Sequence, residues 1–77
     1  MPGHNVELGR RLRDVRRHRG LTQAELGQRC GLGNRQIGKY ERGQSATTVA
    51  TLARLAAGLH CAVTVLLKPP GASLPSR

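Results

Sequence analysis

Residues 22–43 carry their own start and stop signals, and these constrain the fold more tightly than anything else in the chain. Thr22 and Glu25 form a capping-box pattern, in which the hydroxyl accepts the Glu25 N–H and the carboxylate accepts the Thr22 N–H. That predicts a helix from about Gln23. Gly31 follows Cys30 where the helix must stop, and glycine takes the left-handed conformation of a C-cap without a Cβ clash. A second helix is then predicted from Asn34 to Arg42, with Ile37 and Tyr40 facing inward and Asn34, Arg35, Gln36 and Lys39 facing outward. Two short helices about a glycine turn are the result.

The flanking segments supply the packing surface. From Val6 to about Arg19, Leu8, Leu12 and Val15 recur at i, i+4 and i+7, the spacing of one helical face, and Gly20 ends the run. Arg10, Arg11, Arg13, Arg17 and Arg19 cover the other faces and read as a solvated surface. After a polar loop over residues 43–48, Val49, Leu52, Ala53, Leu55, Ala56 and Leu59 give another apolar helical face. Beyond it, Cys61, Val63, Val65 and Leu67 alternate with His60, Ala62, Thr64 and Leu66, so period two predicts a strand. A lone apolar strand has an unpaired edge, and pairing with the same strand of a second copy is the simplest remedy. A short terminal helix is the alternative. The expected fold is an all-α domain of four helices with one C-terminal β-strand pairing across a dimer. Residues 1–5 are expected to be a flexible lead-in, 6–67 the domain, and 68–77 a flexible tail after Pro69-Pro70-Gly71.

Composition bounds the function. A chain of 77 residues has room for one domain and buries only roughly 60% of its unfolded surface, which makes oligomerisation a natural remedy. With one Tyr and no Phe or Trp, its core must be aliphatic. The formal charge is +9, almost all from arginine, and the pI is about 11.6. That favours a polyanionic partner, nucleic acid ahead of an anionic membrane surface. No apolar run approaches the ~20 residues of a membrane span and no signal-peptide pattern opens the chain, so a cytoplasmic protein is expected. Cys30 and Cys61 are too few for a disulfide scaffold, and adjacent His60 and Cys61 would point to opposite faces of a strand, against a shared metal. No nucleophile–base pair, carboxylate dyad, phosphate loop or cofactor fingerprint is present, so neither enzyme activity nor a cofactor is expected.

The set Leu8-Gly9, Leu12-Arg13, Arg16, Leu21-Thr22-Gln23-Ala24-Glu25-Leu26, Gly31, Ile37, Tyr40-Glu41-Arg42-Gly43, Leu52 and Leu55 resembles the Cro/CI-type (Xre-like) helix-turn-helix family of phage and bacterial repressors, over about Val6 to Leu67. The resemblance implies a sequence-specific regulator whose second motif helix enters the DNA major groove. It implies base reading by Asn34, Arg35 and Lys39, with Gln36 beside them, and phosphate contacts from Thr22, Gln23, Arg42, Gly43, Gln44 and Ser45. It also implies an ion pair between Arg16 and Glu41. The symmetric homodimer expected from the strand would present two reading helices, so the target is expected to be an inverted repeat with half-sites about 34–36 Å apart or a multiple of that. Two departures from the pattern are Gly27, where alanine is usual, and Gly33, where Ser or Thr caps the reading helix. Gly27 and Gly38 each carry an expected cost of roughly 0.5–1 kcal/mol relative to Ala. The tail, through Thr47-Thr48, Leu52 and the predicted strand, is similar to the antitoxin of the persistence-kinase toxin system. The expected partners are therefore double-stranded DNA, a second copy of the chain and a toxin protein. A partner-neutralising protein and a non-specific basic coat on nucleic acid are the competing readings.

Overall fold

Five helices make up residues 2–67, the part of the chain that this computed structural model describes: α1 (Pro2–His18), α2 (Gln23–Cys30), α3 (Asn34–Glu41), α4 (Val49–Gly58) and α5 (Val63–Leu67). No strand occurs among the described residues, and the expected tail over 68–77 lies outside them. The first helix begins at Pro2, so helix occupies residues 2–5 where a loose lead-in was expected. Proline fits the opening position of a helix, where its missing N–H would have no intrahelical partner.

Local chemistry sets most helix boundaries. The capping box closes in both directions, with Glu25 N donating to Thr22 Oγ1 at 3.0 Å and Thr22 N to Glu25 Oε1 at 2.8 Å. Thr48 caps α4 in the simpler way, accepting from Thr51 N at 3.1 Å. Gly33 opens α3 in an extended conformation and offers no side-chain cap. The ends of α1, α2, α3 and α4 share one device: a left-handed residue, at Gly20, Gly31, Gly43 and His60, lets the next N–H reach back five residues to a helix carbonyl. At α4 that bond runs from Cys61 N to Ala56 O at 3.0 Å. Among the described residues His60 is the one non-glycine residue at positive φ, at 56°.

That turn overturns the predicted strand. It sends the chain back over α1 and α4 as a short helix, α5, whose Leu66 is fully buried in the core although the alternation had set it on the opposite face from Val65 and Leu67. Cys61 and Val63 pack partly against the core, while Val65 and Leu67 remain exposed. Packing therefore overrode the β preference of a β-branched run, as tertiary context commonly does. Two arginines pin the segment at both ends, Arg19, just after α1, donating from Nη2 to His60 O at 3.2 Å and Arg11 of α1 from Nη1 to Leu66 O at 3.0 Å. With no open strand edge, the strand-exchange dimer has no basis.

The core is aliphatic, built from Leu12, Leu26, Cys30, Ile37, Leu52, Leu55, Ala56, Leu59 and Leu66. Around it α2 and α4 close each other's C-terminal ends. Arg54 donates through Nε and Nη2 to Cys30 O, at 3.1 and 2.6 Å, and Arg29 Nη1 donates to Gly58 O at 3.3 Å. Both satisfy carbonyls left open at a helix end and set a cation at its negative pole. Gly9 and Gly27 mark places where backbone passes close to a helix. A Cβ on Gly9 would lie 2.6 Å from Glu41 O, where α1 crosses α3, and a Cβ on Gly27 would overlap the Leu32 carbonyl of the turn. Gly27 is thus a steric requirement of this turn as well as a weak helix former. Among the described residues no helix is long and apolar enough to cross a membrane.

A left-handed L-residue costs about 1–2 kcal/mol, and among the described residues it is only through its backbone that His60 makes hydrogen bonds. His60→Gly should raise stability by about 1 kcal/mol, read as a higher urea midpoint at unchanged slope. An unaltered midpoint would mean that the His60 side chain compensates its own backbone strain.

Candidate nucleic-acid interface

Three helices meet at one carboxylate. Glu41, the last residue of α3, accepts from Arg16 Nε at 2.6 Å, from Arg16 Nη2 at 3.1 Å and from Gln23 Nε2 at 3.1 Å. Arg16 Nη1 donates onward to Leu21 O at 2.7 Å, between α1 and α2. The two charged side chains are only 10% and 4% exposed. A two-pronged guanidinium–carboxylate pair is both strong and directional. It fixes where α3 lies relative to α1 and to the first residue of α2.

Held this way, α3 turns Ile37 fully inward and keeps Tyr40 half-buried against the core. Its outer face carries Asn34, Arg35 and Lys39 exposed, with Gln36 half-buried beside them. These side chains have the donors and acceptors that base edges require: a guanidinium can bond guanine O6 and N7 together, and a carboxamide can do the same with adenine N6 and N7.

The expected phosphate contacts flank this face. Thr22 is exposed, but its hydroxyl is engaged in the capping box. Gln23 is half-buried with its amide nitrogen on Glu41. Arg42, Gly43, Gln44 and Ser45 follow α3, Arg42 and Gln44 exposed and the other two half-buried. The guanidinium of Arg42 folds back along Gly38, its Nη1 3.2 Å from where a Cβ would stand and the Gln23 amide just beyond. Gly38 therefore leaves space for a side chain, not for backbone. Cys61, Val63, Val65 and Leu67 take no part in this face, since α5 packs on α1 and α4.

Two residues read from the sequence as plain solvated surface join the site. Arg13 and Arg17, with Arg16, Gln23, Glu41 and Arg42, line a cleft of about 250 Å³. Their helical phase, three before and one after Arg16, was the available signal. The thiols have another role: Cys30 is buried, its Sγ donates to Arg54 O at 3.4 Å, and burial pushes its pKa up against the opposing pull of Arg54 and Arg29. Among the described residues no group of three His, Cys, Asp or Glu side chains could hold a metal.

Comparison with known proteins agrees with the helix-turn-helix fold. The helix-turn-helix family model HTH_3 matches residues 12–66. The chain is 33% identical over 69 residues to the HTH-type transcriptional regulator SutR of Escherichia coli K12, a match covering 90% of this chain and 39% of that protein. The restriction-modification controller protein C.AhdI from Aeromonas hydrophila has a TM-score of 0.79 at 34% identity, covering 80% of this chain and 94% of its own. The P22 c2 repressor protein, solved in complex with a synthetic operator, has a TM-score of 0.73 at 33% identity, covering 79% and 92%.

Removing one member of a buried pair strands the other. Arg16→Met should cost about 3–5 kcal/mol, much of the stability of so small a domain. The double change Arg16→Met with Glu41→Leu should recover most of that, because no unpaired charge remains. Urea unfolding of both variants checks the difference, and equal losses would mean that the pair itself is not what Arg16 contributes.

Proposed function

This chain belongs to the helix-turn-helix family HTH_3, a family of DNA-binding transcription regulators, and on that premise we propose that it is a sequence-specific repressor reading an operator with α3. The observation that carries the proposal is the outer face of α3, with Asn34, Arg35 and Lys39 exposed on a helix locked by the buried Arg16–Glu41 pair. A rigid helix loses little conformational freedom on entering a groove, so its side chains can discriminate bases. In this reading Arg35 takes a guanine, Asn34 an adenine, and Lys39 and Gln36 add contacts one turn further along. Thr22, Gln23, Arg42, Gly43, Gln44 and Ser45 hold the phosphate backbone on either side and fix the register. Likeness to a repressor solved on operator DNA supports the assignment.

The protein acts as a homodimer on an inverted repeat in the cytoplasm. Among the described residues the exposed large hydrophobics are Val6, Val49, Val65 and Leu67, and this reading sets the dimer contact on the two that neighbour each other on α5, Val65 and Leu67. The antitoxin likeness rested on Thr47-Thr48 and Leu52 together with the predicted strand, and with the strand gone a toxin partner forms no part of the proposal.

Selection of binding sites from random duplex DNA should enrich a palindrome. Arg35→Ala should then relax one position of each half-site at a cost of about 1–3 kcal/mol, with the circular dichroism spectrum unchanged. Uniform, salt-sensitive binding without a motif would replace the repressor with a non-specific coat. In sedimentation, Val65→Glu should shift the protein to a monomer, and an unchanged dimer would move the contact away from α5.

A further inference from the structure

We propose that the cleft between α1, the start of α2 and the end of α3 seats one phosphate of the bound duplex, with Arg13 and Arg17 as its positioning residues. This rests on the DNA-binding reading above and extends the footprint to α1.

The cleft is cationic and its internal pair is already spent. Four guanidiniums and one carboxylate line it, but both oxygens of Glu41 are taken by Arg16 and Gln23, and Arg16 is taken by Glu41 and Leu21 O. Arg13, Arg17 and Arg42 are exposed and have no ion-pair partner among the described residues, where the ion pairs are Arg11–Glu7 and Arg16–Glu41. Three like charges around one hollow repel one another, and an anion entering it relieves that repulsion. Gln23, the first residue of α2, brings the positive end of that helix to the same place.

Location makes the site useful for DNA. The Arg42 guanidinium lies along Gly38 of α3 with the Gln23 amide close by, so the cleft adjoins the helix that carries Asn34 and Arg35. A phosphate held there fixes how far along the groove those side chains reach. It carries no sequence information itself, so the contribution is affinity and register.

The test uses the full chain with Arg13→Gln and Arg17→Gln together, against Arg19→Gln, which removes a charge just after α1 and outside the cleft. Binding is measured from low to moderate salt on the duplex that the wild type selects and on a mixed-sequence duplex. The double variant should lose about 0.9 from the slope of log K against log salt, one phosphate's worth of counterions, and about tenfold in affinity. Its base preferences should stay those of the wild type, and Arg19→Gln should keep the wild-type slope. An unchanged slope in the double variant, or an equal drop in Arg19→Gln, overturns the phosphate seat while leaving a selected motif intact. A wild type that selects no motif, with the slope still falling in the double variant, overturns the repressor reading and keeps the seat.

Discussion

A carboxylate buried at the end of α3 would be untenable alone, and much of this structure follows from how Glu41 is satisfied. It takes two bonds from Arg16 and one from Gln23, so α1, α2 and α3 are tied at a single point. Desolvating two charges is costly, and such a pair gains little over apolar residues of the same shape. Its value is directional. A Leu–Leu contact would let α3 slide and roll against α1, whereas a two-pronged pair admits one arrangement. The absence of a side chain on Gly9 lets the two helices approach closely enough for that arrangement to form.

Arginine does two kinds of work here. Arg11, Arg19, Arg29 and Arg54 donate to backbone carbonyls at the ends of α5, α4 and α2, where helix termini leave acceptors open. In a domain with an aliphatic core and one aromatic residue, these bonds replace part of the packing that larger side chains supply elsewhere. Among the described residues five other cations lie on the side of α3: Arg13 and Arg17 beside its end, Arg42 just after it, Arg35 and Lys39 on it. Arginine thus both holds the fold and supplies most of the cations of the face proposed to meet a polyanion.

The centre of the chain was legible because its signals are local. Thr22, Glu25 and Gly31 act within one turn of themselves, and the apolar spacing of Leu8, Leu12 and Val15 needs only a helix to make sense. The terminal segment was not legible, since residues 61–67 satisfy a two-residue period and the decision lay in a left-handed turn at a histidine, which carries no such signature. Gly27 was read as a defect because the Leu32 carbonyl that crosses it is visible only once the turn is built. Likewise Arg13 and Arg17 look like any solvated arginines until Gln23 and Arg42 come up beside them.

That α3 is the surface which meets DNA can be tested directly by following backbone amide shifts of the isotopically labelled chain as a selected duplex is added. The largest changes should fall on residues 34–39, on Gln23 and on 42–45, with α5 little affected. Shifts concentrated on α4 and α5, with α3 unmoved, would contradict the account.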